Sequence, residues 1–150
     1  MHLWRLARWP YRALDGEGGR LHSARWHTAG RPVVYAASHL SLAVLEVIVH
    51  AESSELPADL YAFALEVPDD VAVEGLDAGE MPPDWSEPGS AACRARGDAW
   101  LAAGRTALLG VPSGIVPEET NYLINPRHPD APRVTVERHR RFTFDSRLLK

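Results

Sequence analysis

The chain predicts an α+β fold, a single domain over 1–150 built on a twisted, mostly antiparallel sheet with flanking helices. Two observations lead there. Apolar stretches of strand length outnumber those of helix length, and the two kinds do not alternate regularly, which argues against a parallel doubly wound sheet. With 150 residues, 45% hydrophobic and 24% charged, the chain has globular composition and enough length for a real core. No repeat, low-complexity tract or linker divides it.

Taken in order, His2 to Leu6 reads as a short strand and Asp15 to Gly19 as a glycine-rich loop. Val33 to Ala37 is a strand, and Ser38 is placed to cap a helix that runs to about His50. Leu60 to Val67 carries apolar residues on both faces and reads as a buried strand, with Val71 to Glu74 a second. Pro82, Pro83 and Pro88 make Met81 to Gly89 an irregular surface loop. A helix follows from Ala91 to Ala103, closed by Gly104. Thr106 to Val111 is another strand, and Arg133 to Phe144 holds the last one or two. Between them, prolines at 112, 117, 126 and 129 make Val111 to Asp130 read as a stiffened loop.

Composition also excludes. A net charge of −4 argues against nucleic-acid binding, and Arg133, Arg138, Arg140 and Arg141 read as a solvated strand face. The single Cys93 excludes an internal disulfide and a multi-cysteine metal site, and it is expected as a small packed side chain. With no signal peptide and no apolar run of membrane-spanning length, the expected location is cytoplasmic, away from membranes. Gly16-Glu17-Gly18-Gly19 matches neither the dinucleotide fingerprint nor the P-loop.

Glu46 stands out because it interrupts Leu42-Ala43-Val44-Leu45-Glu46-Val47-Ile48-Val49, a helix apolar over more than half its wheel. A carboxylate there must be paired, protonated or lining a cavity, since burying it unpaired costs several kcal/mol. His50 projects to the same side one turn later, but Glu-x-x-x-His without a second histidine pair does not make a metal site, and no metal is expected. Arg25, in Ala24-Arg25-Trp26-His27, has the planar fork that suits a pyrophosphate; pairing with a carboxylate or stacking on Trp26 accounts for it equally well. Pro112-Ser113-Gly114 is not a nucleophile elbow, so Ser113 does not announce a serine hydrolase.

Taken together, these segments resemble the RES-domain toxins of bacterial RES–Xre toxin–antitoxin pairs. The likeness includes Leu3-Trp4-Arg5, Gly18-Gly19, Arg25-Trp26-His27, Gly30-Arg31-Pro32-Val33-Val34-Tyr35-Ala36 and Leu45-Glu46-Val47. It continues through Val111-Pro112-Ser113, Asn121-Tyr122-Leu123, Asn125-Pro126-Arg127-His128-Pro129 and Asp145-Ser146-Arg147-Leu148. The Arg, Glu and Ser of the family's name fall on Arg25, Glu46 and Ser113. Ala24 departs from the glycine of many relatives, and His27 from the asparagine of some.

The resemblance implies a fold like the diphtheria-toxin-like ADP-ribosyltransferases, and NAD+ as the substrate consumed. It implies hydrolysis or phosphorolysis of NAD+, or transfer of ADP-ribose to a protein. On that basis Glu46 is expected at the ribose and its developing cation, with Arg25 on the pyrophosphate or neighbouring ribose. Tyr35 would stack against nicotinamide, Ser113 would hydrogen-bond the substrate, and Asn121 and His128 would hold the loop. Arg25 or its ligand would offset the burial of Glu46. A cognate Xre-type antitoxin is expected over the cleft, as a hetero-oligomer, with homodimerisation open. A non-catalytic binding module and an RNA-cleaving toxin using His50, His128 or His139 are the competing readings.

Overall fold

β1 (His2–Arg8) is the strand around which the sheet is organised. It pairs antiparallel with β3 (Leu60–Glu66) along its whole length, from His2↔Glu66 to Arg8↔Leu60. On its other edge it meets β2 (Val34–Ala37) only at Trp4↔Ala37. Beyond Trp4 the two strands separate, and the sheet opens beside Arg5 to Arg8. The computed structural model that shows this describes residues 1–51 and 56–149.

The other strands extend the sheet in both directions. β4 (Val73–Gly75), β5 (Leu108–Pro112) and β6 (Thr120–Ile124) lie beyond β2, and β7 (Thr135–Arg141) lies beyond β3. The order is β4-β5-β6-β2-β1-β3-β7, antiparallel throughout except for β4 beside β5. The α+β, mostly antiparallel architecture expected from sequence is therefore the observed one.

β6 corrects the sequence reading. It lies inside the segment expected to be a stiffened loop, where prolines and polar residues masked the short run Tyr122-Leu123-Ile124. Strand pairing on both edges, with β2 and with β5, outweighs the weak local preference. Asp15 to Gly19 is likewise not simply a loop, because α1 (Glu17–Leu21) begins inside it, closed on its surface by Arg20 pairing with Glu17.

α2 (Leu40–His50) starts two residues after Ser38. His39 occupies its N-cap without a side-chain cap, while both the Ser38 hydroxyl and the His39 imidazole turn to the Glu119 carboxylate. The apolar wheel suggested a helix with no wet face. Instead only Leu42 and Ala43 are buried, and Leu45 and Val49 are exposed, so α2 forms an outer wall. α3 (Ala91–Ala103) matches its expected limits, with Ser90 accepting from the Cys93 amide and Gly104 ending it in the left-handed conformation.

The sheet is covered on both faces. Leu3, Val34, Phe63, Leu65, Leu108 and Ile124 belong to one core. Alternate residues such as Leu109, Val111 and Leu123 point the other way, into a core shared with Trp26, Trp85, Cys93 and Trp100. Cys93 is fully buried there, as a packed side chain. α3 approaches so closely that a Cβ on Gly97 would lie 1.6 Å from the Trp26 carbonyl oxygen. That contact fixes the backbone of the 24–27 turn, which carries Arg25.

Candidate active site

The gap between β1 and β2 becomes a cleft of about 770 Å3, walled by α2 and by the 24–26 turn. That is a size suited to a small-molecule ligand. Arg5, Arg25, Tyr35, Glu46, His50 and Asn121 are among its lining residues.

Glu46 is held from one side only. Its Oε1 accepts from the Asn121 amide at 2.6 Å and from the Ser113 hydroxyl at 3.0 Å. Its Oε2 takes neither bond; His50 Nε2 stands 3.7 Å from it, an ion-pair distance and too long for a hydrogen bond. Burial by itself pushes the Glu46 carboxyl up, but His50, Asn121 and Ser113 together outweigh it and hold the group below the ordinary glutamate value. The carboxylate is thus ionised near neutrality, with one oxygen fixed and the other facing the cleft.

Ser113 is wholly buried and fully used. Its one hydroxyl proton goes to Glu46, while its oxygen accepts from the amides of Ile115 and Val116. A hydroxyl with its proton already committed cannot donate to a substrate, so the expected direct hydrogen bond gives way to a supporting contact behind Glu46. Asn121 reaches Glu46 because β6 is a strand whose register puts it beside Ala37 and Val111.

Arg25 does not offset the burial of Glu46, contrary to the expectation from sequence. Its Nη1 donates to the carbonyls of Trp85 at 3.0 Å and Glu87 at 3.1 Å. Among the described residues it makes no ion pair, and it lines the cleft. The guanidinium lies across Gly114, where a Cβ would fall 2.7 Å from Arg25 Cζ. Gly114 is a site residue that sequence reasoning passed over, its signal being only its place beside Ser113.

Tyr35 lines the cleft, and its hydroxyl is 2.7 Å from His27 Nδ1. His27 Nε2 is 2.8 Å from the Gly19 carbonyl oxygen, which can only accept. The His27 proton therefore sits on Nε2, and Nδ1 accepts from the tyrosine hydroxyl. Burial pushes the Tyr35 hydroxyl well above its ordinary value, so it keeps its proton. His27, 1% exposed, is thereby a strut fixing the Tyr35 ring, a role left open by the sequence.

The structure does not bring His128 to the cleft. It sits in the turn after β6, its Nδ1 accepting from the Asp130 amide, while Asn125 anchors that turn through Ala107. Arg5 does line the cleft, although the sequence marked it only as part of an opening motif. His2, Glu66 and Glu137 form a group with metal-ligating spacing on the β1, β3 and β7 side of the sheet; none of the three lines the cleft.

Residues 2–145 match the profile of the RES domain. The chain is a RES domain. This RES domain is 43% identical over 140 residues to the "Prs ADP-ribosylating toxin" of Sphingobium sp. (strain YBL2), covering 91% of this chain and 87% of that one. It is 43% identical over 151 residues to "Toxin Res" of Pseudomonas putida, covering 99% and 100% of the two chains. A "Toxin Res" of Photorhabdus laumondii is 38% identical across this whole chain and 98% of its own. In fold, the RES domain is similar to a chain in the crystal structure of the M. tuberculosis MbcT–MbcA toxin–antitoxin complex. The TM-score there is 0.78, at 18% identity, over 95% of this chain and 84% of that one. No helix among the described residues is long and apolar enough to cross a membrane.

Proposed function

We propose that this RES domain is the toxin of a toxin–antitoxin pair and depletes NAD+ by cleaving its nicotinamide–ribose bond, with water as acceptor. The observation that carries the reading is the Glu46 carboxylate, held ionised with Oε1 pinned by Ser113 and Asn121 while Oε2, at ion-pair distance from His50, faces the cleft.

In the reaction the bond between the ribose anomeric carbon and the nicotinamide nitrogen breaks. Its electron pair goes to that nitrogen, which loses its formal charge and leaves as neutral nicotinamide without needing an acid. Positive charge passes to the ribose carbon and ring oxygen. A carboxylate fixed beside that ribose attracts the developing charge more strongly in a cleft than in water, and it needs no reorganisation during the step. Water oxygen then bonds to the same carbon, and its extra proton passes to solvent. Arg25, with Gly114 beneath it, would hold the pyrophosphate, and Tyr35 would shape the nicotinamide pocket.

Transfer of ADP-ribose to a protein is the second reading, favoured by the name of the Sphingobium relative. Phosphorolysis is the third. Water is preferred because no group of the cleft among the described residues marks a second substrate. A cognate antitoxin, of Xre type on the family resemblance, would cover the cleft; the toxin–antitoxin complex containing the MbcT–MbcA neighbour supports such a partner.

The test is proton NMR of NAD+ with the pure protein and with Glu46→Gln, with and without phosphate. Nicotinamide plus ADP-ribose, lost in the variant, is the expected outcome. A phosphate-dependent product would replace water by phosphate, and intact NAD+ would end the hydrolase reading.

A further inference from the structure

Outside the cleft, three neighbouring strands bring a histidine and two glutamates to one place. His2 of β1 lies directly opposite Glu66 of β3. On β7 the register slips: Arg138 faces Ala64 and Val136 faces Leu65, so Glu137 is the extra residue of a bulge. A bulge re-aims a side chain, and here Glu137 Oε2 stands 3.3 Å from His2 Nδ1. One ligating atom from each of the three residues lies within 4.8 Å of the other two. Chain order hides the group, since residues 2, 66 and 137 meet only through the sheet.

The contacts inside this group are incomplete. His2 Nδ1 is 2.8 Å from Glu66 Oε2, well inside hydrogen-bond range, yet that oxygen is buried and has no hydrogen-bond partner. It is the one buried side-chain polar atom so placed among the described residues. At that separation the failure is one of direction, the ring nitrogen not pointing along the line to the oxygen. A protonated imidazole has a single Nδ1–H, and here it does not serve Glu66. A shared cation accounts for both facts. An ion held at about 2.1 Å by nitrogen and oxygen alike sits to one side of the line between them, so the nitrogen aims beside the oxygen. Two ligands of one such ion stand roughly 3.0–3.4 Å apart, close to the 2.8 and 3.3 Å found around His2 Nδ1.

The donor set selects the ion. Magnesium and calcium favour oxygen ligands, whereas an imidazole with two carboxylates suits zinc, with water completing the coordination. The His2 and Glu137 side chains are 65% and 51% exposed, so an ion enters from solvent and Glu137 is free to draw in.

We propose that His2, Glu66 and Glu137 form a site for a divalent cation of the zinc class that staples β1, β3 and β7 together. None of the three lines the cleft, so the site is structural and does not rest on the NAD+ reading. β7 gains most, being an outer strand exposed along its whole length. The ion ties it through its bulge to β1, two strands in.

The test is calorimetry of the chelator-treated full chain with Zn2+ and with Mg2+, joined to melting curves. Wild type should bind one Zn2+ per chain and melt higher with it, because a ligand held only by the folded state stabilises that state. Mg2+ should do neither. His2→Ala and Glu137→Gln should each lose the binding and the melting shift, while His50→Ala keeps both, which separates this group from the Glu46–His50 pair. Absence of Zn2+ binding by wild type would overturn the inference, as would binding that survives His2→Ala and Glu137→Gln. Binding lost in His50→Ala would place the ion in the cleft, and equal affinity for Mg2+ would mean carboxylates acting without the imidazole; either result overturns it too. If one of the variants does not fold, Glu66→Gln decides on the same comparison.

Discussion

Asn121 on β6 donates to Glu46 Oε1 on α2 at 2.6 Å, a bond that ties the middle of the sheet to the helix forming the cleft wall. Because the same oxygen also takes the Ser113 proton, Glu46 cannot turn without breaking two contacts.

Glu46→Gln keeps the shape and can still accept from Asn121 and Ser113 through its own carbonyl oxygen. NAD+ turnover should fall by roughly 10²- to 10³-fold, the usual cost of losing one fixed electrostatic group, while the thermal midpoint stays close to wild type. Steady-state kinetics and a melting curve check both halves.

Ser113→Ala removes the donor to Glu46 and leaves the part-buried amides of Ile115 and Val116 without that acceptor. Stability should drop by about 1–3 kcal/mol in urea unfolding, and kcat should fall more than KM changes, since the loss acts through the position of Glu46. A purely structural serine would lower stability without changing kcat in the folded fraction.

Gly114→Ala places a methyl where the Arg25 guanidinium now lies. The end of an arginine chain can move aside, so the fold should survive. The NAD+ KM should rise several-fold at unchanged melting temperature, and an unchanged KM would count against a pyrophosphate role for Arg25.

Tyr35→Phe leaves His27 Nδ1 buried without its donor. The cost should be about 1–3 kcal/mol of stability by urea unfolding. A variant as stable as wild type would mean that the hydroxyl is not the partner on which His27 depends.

The pH dependence follows from Glu46. Its carboxyl lies below the ordinary value when folded, so its contribution to stability is present above the usual glutamate range and is lost as pH falls through the lowered value. Turnover should fall over the same descent, which is its acid limb. His50→Ala removes one of the influences that lower it, so the acid limb should move to higher pH. A profile unmoved by His50→Ala would show that Asn121 and Ser113 suffice.

What could be read in advance followed the strength of local signals. α3 announced itself by Ser90 and Gly104, and β3 by an unbroken apolar run. β6 did not, because Asn121 and the surrounding prolines look like loop until β2 and β5 supply their edges. Glu46 was legible as an anomaly, since charge in an apolar stretch needs an explanation wherever the helix lies. Its neighbours were not, for Ser113 and Asn121 lie 67 and 75 residues away in the chain. Arg25 was found as a suitable residue, but its anchors, the carbonyls of Trp85 and Glu87, were not legible because they belong to a loop with no pattern of its own. Arg5 was legible only as part of an opening motif, and the parting of β1 from β2 makes it a cleft residue.

That parting has a consequence for how the site can vary. Past Trp4 and Ala37, the peptide groups on the facing edges of β1 and β2 lack a cross-strand partner in one another. They present amide and carbonyl dipoles to whatever enters the cleft. Side-chain replacement cannot delete a peptide bond. An inhibitor built to bridge those two edges would grip the one part of the site that point mutation leaves in place, so resistance would have to come from reshaping the backbone.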